Sequence, residues 1–415
     1  MKKTAGVKNI DNAFEVSLSG MRKIASDFRA EMERGLAGKK SSLKMIHSFV
    51  HKPSGDEKGS FIALDLGGTN FRILEVALKG AGRISMSGAM KFKIDSRHMA
   101  GKGEELFDFI ARCLKSFLKK NRELGESRKL GFTFSFPVRQ TGIDSGSLVC
   151  WTKGFKASGI VGKDVVLLLE EALERNGIEN VKVSALVNDT VGTLEARGYS
   201  DRYCDIGVII GTGTNACYCE PALGGMIVNI EWGNFDKIRT TFFDKFLDAS
   251  SDSPGAQILE KTISGMYMGR LASAVLRSGL FPRMRDLETE EMSAIEADSS
   301  KGYLRTKNIL IGAGANVKNP EEIAACRRTC SVISLRASRF AAACLFAIVT
   351  RMDPKVSSKH SIAIDGSVYE KHPVFKNNMN AALKELFGKR ASNIRTVLAK
   401  DGSGVGAAIT AATGA

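Results

Sequence analysis

The sequence predicts an α/β protein of two lobes facing one another across a central cleft. At 415 residues the chain exceeds the size at which a single hydrophobic core stops growing. Strand-like and helix-like patterns alternate along it, the mark of sheets covered by helices. Finally, "LDLGGTN" is echoed by "IIGTGTN" about 145 residues later, which sets Gly68 over Gly213, Thr69 over Thr214 and Asn70 over Asn215. Each Gly-rich hairpin heads a β-rich unit that continues into helices. The duplication is on the scale of whole lobes, unlike a solenoid repeat.

The first 50 residues read as helical, with apolar residues of "FEVSLSGMRKIASDFRAEMERGL" at three- and four-residue spacing. "HKPSGDEKGS" is a polar linker bearing Gly and Pro. "FIALDLGGTNFRILEVAL" reads as strand, Gly-Gly turn and strand, and "GRISMSGAMKFKI" as a third strand. "GEELFDFIARCLKSFLKKN" is an amphipathic helix with Leu106, Ile110, Leu114, Phe117 and Leu118 on one side. "KLGFTFSFPV" is strand-like, "KDVVLLLEEALERNG" is a helix ended by Asn176-Gly177, and "VKVSALV" is another strand. After a short helix the arrangement restarts with "YCDIGVIIGTGTNACYCE", strand, Gly-rich turn and strand, followed by "GMIVNIEW". Helices dominate from Gln257 to Arg351, "SIAIDGSVY" is a final strand, and Gly402 and Gly404 open the last helix.

Composition narrows the function classes. Hydrophobic residues at 43% and charged residues at 25% describe an ordinary soluble globular protein. The apolar stretch Phe340–Val349 is too short to span a bilayer and reads as a core helix. Two lysines near the start have no apolar block behind them, so no signal peptide is expected. The eight cysteines form no C-x-x-C pair and the five histidines are scattered, which predicts reduced thiols, no zinc site and a cytoplasmic setting. The net charge of +15 is dispersed: residues 1–60 hold 12 Lys/Arg against 7 Asp/Glu, and residues 83–130 hold 12 against 6. With no basic run and no interleaved aromatics, the excess predicts solubility and attraction of anionic ligands, with no nucleic-acid or membrane partner.

In "LDLGGTNFR", Gly67 and Gly68 permit a close backbone approach, so that consecutive N–H groups point at an anion. Thr69 and Asn70 add side-chain donors and Arg72 adds charge, while Asp65 is placed to hold the magnesium of a phosphate, directly or through water. An isolated Gly-Gly turn is an ordinary hairpin. Its echo at Gly211–Asn215 lets two hairpins grip one nucleoside triphosphate. Neither is a Walker A loop nor a dinucleotide fingerprint. Gly366-Ser367, at a strand-to-helix junction, is expected to pass against an adenosine.

"VSALVNDTVGTLEARGY" ends an apolar run in Asn188-Asp189-Thr190. An acidic or amide side chain there caps the helix that follows. It also stands where open α/β sheets bind ligands, just beyond their strand ends. Ser135, Thr152, Lys153, Asn188, Asn215, Glu231 and Glu260 supply hydroxyls, amides and carboxylates of the kind a polyhydroxylated ligand requires, since each sugar hydroxyl both donates and accepts.

The chain resembles the eukaryotic-type hexokinase family. "LGFTFSFPVRQTGIDSGSLVCWTKGF" matches the family's signature block, and "LDLGGTNFR", "VNDTVGT", "GTGTNACY", "EWG", "SPGAQILEKTISGMY" and "IDGSVYEKHP" follow in the family's order, from about Ser42 onward. The resemblance implies the actin-like ATPase architecture, two ribonuclease-H-like lobes hinged around a sugar and an ATP. Residues 1–50 and 190–399 would form a large lobe on the sugar and adenosine side, and 51–189 and 400–415 a small lobe on the sugar and phosphate side.

It implies ATP- and Mg2+-dependent phosphorylation of glucose and related hexoses at the 6-hydroxyl, the first step of glycolysis, by a monomer or homodimer. Asp189 would be the general base with Lys153 beside it, and Ser135, Thr152, Asn188, Asn215, Glu231 and Glu260 would bind hexose. Asp65, Gly67, Gly68, Thr69, Asn70, Arg72, Thr212 and Gly213 fall where the family holds phosphates and metal, Asp189 sharing the metal through water. Thr289, Ser293, Gly366 and Ser367 fall on the adenosine side. Shortened loops, "PALGGMIV" and "EWGNFDKIR", and Ser253 in place of the usual Asn are departures from the family pattern. A non-catalytic hexose sensor is the alternative; it would be signalled by loss of Asp189, Lys153 or the hairpin glycines, all of which are present. A chaperone or filament ATPase of the same superfold is opposed by the sugar-binding set.

Overall fold

The structure, a computed structural model, describes residues 10–67, 70–121 and 125–413. It contains two sheets of matching design. One has the strand order Ile84–Lys93, Asn70–Lys79, Lys58–Leu66, Arg128–Phe134 and Val181–Val187. Its first three strands run antiparallel and the last two continue in parallel. The other has the order Ile46–His51, Met226–Asn229, Thr214–Glu220, Cys204–Ile210, His360–Asp365 and Ile394–Leu398. Leaving aside its edge strand Ile46–His51, it repeats the same sequence of three antiparallel and two parallel strands. The duplication legible in the two Gly-rich hairpins is therefore a duplication of sheet topology.

In the first lobe, helices Gly103–Lys120 and Val165–Arg175 bury Leu106, Ile110, Leu114, Phe117 and Leu169 against Ile62, Leu64 and Phe132. In the second, the 33-residue helix Pro320–Met352 starts with an Asn319 cap on Glu322 N–H at 3.0 Å and forms the spine of the core. By length and composition it is apolar enough to cross a membrane, but 83% of its apolar window lies inside the protein. It is a core helix.

Between the sheets two helices cross, Asp189–Gly198 and Gly402–Thr413. They share an apolar layer with both sheets: Ala63, Leu74 and Val187 from one side, Cys204, Cys217 and Ala363 from the other. Their contact depends on the absence of side chains. A Cβ on Gly406 would lie 1.9 Å from the Gly192 carbonyl oxygen. The start of Asp189–Gly198 is thereby fixed where the lobes meet.

Four features differ from the sequence expectation. Ile46–His51 is an edge strand within a stretch that reads as helical, its alternation too short to compete with the helix before it. Ile394–Leu398 and the hairpin Val138–Gly142/Ser145–Leu148 are further strands; both are partly exposed, so neither has an apolar run. The helix Phe375–Phe387 was likewise not read from the sequence.

Candidate functional site

The strand Val181–Val187 ends at the lobe junction, and Asn188 is the residue that caps the following helix. Its Oδ1 accepts from Thr190 N–H at 3.0 Å and from the Thr190 hydroxyl at 2.7 Å. Asp189 stands one position later, with Oδ1 accepting from Thr190 N–H at 2.9 Å. Its Oδ2 lies 3.6 Å from Lys153 Nζ. Lys153 adopts a left-handed backbone, φ 55°, and its ammonium donates to the Ser135 carbonyl at 2.7 Å. Asn188 caps the helix and Asp189 shares the Thr190 N–H through one oxygen, while its other oxygen faces the Lys153 ammonium.

Across the cleft, Asn215 Nδ2 donates to Asn229 Oδ1 at 2.8 Å, Glu231 Oε1 at 3.2 Å and Asn188 Oδ1 at 3.3 Å. Asn229 Nδ2 donates to Glu231 Oε1 at 2.9 Å. Glu231 is buried with φ 56°, a left-handed turn that ends the strand and presents its carboxylate to this amide cluster. Glu260 Oε2 accepts from Thr214 N–H at 2.9 Å, an approach that Gly213 allows because a Cβ there would meet the same oxygen at 2.8 Å. Burial raises the pKa of Glu260; the Thr214 N–H and Lys153 oppose this, and the charges of Glu231 and Asp189 add to it. Each of the two glutamates has one oxygen engaged by protein N–H donors. The arrangement suits a ligand that offers several hydroxyl donors. Thr152 is half-buried beside Lys153, its carbonyl accepting from Phe155 N–H at 3.1 Å.

Of the hairpin expected to hold phosphates, the described residues include Asp65, Gly67 and Arg72. Gly68, Thr69 and the Asn70 side chain lie outside the described residues. Gly67 ends the buried strand Lys58–Leu66 and Asp65 is buried in it. Arg72 pairs with Asp65, Nε to Oδ2 at 3.1 Å, and also with Asp401, while the Ser403 hydroxyl donates to Asp65 Oδ2 at 3.0 Å. Asp365 ends the strand His360–Asp365 in the same neighbourhood; burial and the charge of Asp401 push it up to about 6, against the Gly366 N–H and Arg72. Among the described residues, no group of three or more His, Cys, Asp or Glu side chains comes together as a metal cage. Carboxylate oxygens such as those of Asp65 are nevertheless the donors magnesium takes, usually one or two of them together with substrate phosphates and water. The residues fit a cation that arrives with a phosphate.

Thr212, Thr289, Ser293 and Ser367 line one cavity of about 560 Å3. Gly366, φ 115°, sets the Ser367 helix against Gly211, where a Cβ would strike the Ile210 carbonyl at 2.4 Å. The cavity also holds Arg270, Arg305, Lys371 and His372. Asn229, Asp365, Asp401 and Ser403 are the site residues that sequence reading missed. A polar residue inside the apolar run of "GMIVNIEW" and acids at the starts of "DGSV" and "DGSG" were the available signals.

Models for hexokinase match residues 6–199 and 205–413. The chain belongs to the hexokinase family. Hexokinase-2 of Oryza sativa subsp. japonica is 41% identical over 94% of this chain and 87% of its own length. Hexokinase-2 of Rattus norvegicus is 40% identical over 94% of this chain but 46% of its own length, so the chain spans about half of that hexokinase. A crystallised hexokinase from Schistosoma mansoni, complexed with glucose, superposes with a TM-score of 0.89 at 35% identity, covering 99% of both chains.

Proposed function

We propose that this chain transfers the γ-phosphoryl group of ATP to the 6-hydroxyl of glucose or a related hexose. The observation that carries this reading is the Lys153–Asp189 pair at 3.6 Å, set at the lobe junction beside the amide and carboxylate cluster of Asn188, Asn215 and Glu231. Family membership and the glucose bound by the Schistosoma hexokinase support the choice of hexose.

In this reading Ser135, Thr152, Asn188, Asn215, Glu231 and Glu260 hold the sugar ring so that its 6-hydroxyl reaches Asp189. The hydroxyl oxygen forms a bond to the γ-phosphorus as the bond to the β–γ bridging oxygen breaks, and ADP leaves with that oxygen. The hydroxyl proton passes to the Asp189 carboxylate. Because phosphoryl transfer is loose, little charge builds on the attacking oxygen, and a carboxylate of ordinary basicity suffices. Lys153 and Arg72 offset charge on the transferring oxygens. Asp65, with Asp189 of the same lobe sharing the ion through water, is the residue that would hold magnesium, which when bound would neutralise phosphate charge as a Lewis acid. Thr289, Ser293 and Ser367 take the adenosine in their cavity, with Thr212 on its lining toward the phosphates. Hexose contacts from both lobes favour closure, which excludes competing water.

A coupled assay for ADP release with glucose, mannose, fructose and galactose tests the reading. Sugar phosphate is expected with glucose and mannose; none above blank with any of the four would overturn it.

A further inference from the structure

We propose that a second groove, which shares no lining residue with the nucleotide cavity, binds a small soluble polyanion, a molecule carrying two or more phosphate or carboxylate groups. The groove has a volume of about 700 Å3, within the range of small-molecule sites. Lys39, Lys40, Lys44 and His47 line one wall and Arg139, from the hairpin beside the edge strand Ile46–His51, lines the other. No Asp or Glu lies in the lining, and among the described residues none of these Lys and Arg side chains has an ion-pair partner. The buried Glu31 carboxylate beneath the loop is the nearby counter-charge, engaged by the Ser41 hydroxyl and Ser42 N–H, so the cations in this concave surface still outnumber it and focus a positive potential, which an anion relieves.

The lysines stand on a frame that is held in place. The buried Glu31 carboxylate accepts from the Ser41 hydroxyl and from Ser42 N–H, each at 2.8 Å. Leu43 N–H donates to the Ser41 hydroxyl at 3.0 Å, and Lys44 N–H to the Ile230 carbonyl at 3.1 Å. The loop is pinned at four points while its ammonium groups remain exposed. Met45 and Phe49 both have positive φ, 48° and 58°, and Phe49 is turned outward at the groove. Non-glycine residues in this region persist only where surrounding structure enforces them. Three lysines on a held backbone share one groove with Arg139 and favour multiply charged ligands over single anions, since each added contact is made without further ordering of the loop backbone.

The test is isothermal titration of inorganic tripolyphosphate into the full chain in magnesium-free, low-salt buffer. Wild type is expected to bind with an affinity that falls as salt is added. Lys44→Glu/Arg139→Glu, and independently Lys39→Glu/Lys40→Glu, are expected to weaken binding at least tenfold while Arg72→Ala does not. All four reversed positions are exposed, and circular dichroism melts check that the variants fold. Wild-type affinity in both reversal variants, loss of binding in Arg72→Ala alone, or no binding by wild type would each overturn the proposal. The outcome is independent of whether the chain phosphorylates hexoses.

Discussion

Asn229 Nδ2 donates to Glu231 Oε1 at 2.9 Å while its Oδ1 accepts from Asn215 Nδ2 at 2.8 Å. One buried amide thus fixes both the direction of the Asn215 side chain and the aim of the Glu231 carboxylate. Asn229→Ala removes one bond from each partner and leaves the direct Asn215–Glu231 bond at 3.2 Å to hold them, at a cost of about 0.5–1.5 kcal/mol per lost bond. The expected result is a glucose KM raised by roughly ten- to a hundredfold, with kcat changed far less. Steady-state kinetics check it; a wild-type KM would show that Glu231 and Asn215 hold their places unaided.

The crossing of the two central helices is a stability prediction. A methyl on Gly406 would sit 1.9 Å from the Gly192 carbonyl oxygen, so Gly406→Ala forces the helices apart despite the better helix propensity of alanine. A loss of about 3 kcal/mol or more is expected in denaturant unfolding. Gly312→Ala, at a position with open space around it, is the control and should be neutral or slightly stabilising.

His372, at the wall of the nucleotide cavity, lies 3.6 Å from Glu296. Burial pulls the imidazole down to about 4 and pushes the carboxyl up to about 7, against the Ser334 hydroxyl and Arg327. In His372→Gln, Glu296 keeps a folded pKa above its unfolded 4.5, so its stabilisation is full below that value and is lost as pH rises toward 7. In Glu296→Gln, His372 has a folded pKa below its unfolded 6.5, so its stabilisation is full above 6.5 and is lost as pH falls toward 4. The two contributions oppose each other, so relative to wild type the melting temperature of His372→Gln should fall as pH rises from about 4 to 7 and that of Glu296→Gln should rise. Parallel slopes in the two variants would contradict the assignment.

Much of this was legible in residues whose type alone implies a role. Gly-Gly turns, the apolar run before Asn188 and the repeated "GTN" read as strand ends and phosphate hairpins, and the two sheets share that design. What was illegible depends on contacts remote in sequence. The pairing of Arg72 with Asp401 joins positions 329 residues apart, and no local pattern carries it. The cap at Asn188 rather than Asp189 is a choice between adjacent, chemically similar side chains that only the backbone decides. Edge strands such as Ile46–His51 escape because half of their surface faces water and their alternation is short.

Hexose ligands drawn from both lobes predict a mechanical response. Glucose alone should reduce the radius of gyration in small-angle scattering, whereas a non-hydrolysable ATP analogue alone should do so weakly, because the two hairpins expected to hold it approach correctly only on closure. An unchanged radius at saturating glucose would show that the lobes do not close on sugar.

The most direct measurement is the turnover of Asp189→Ala beside its glucose affinity. Asp189 lies at ion-pair distance from Lys153 at the lobe junction, while several other side chains would share the binding of the ring. Loss of a general base lowers kcat by about a hundredfold or more, and the glucose dissociation constant from calorimetry should change much less. Near-wild-type turnover in Asp189→Ala would contradict the assignment of Asp189 as the base that accepts the hexose proton.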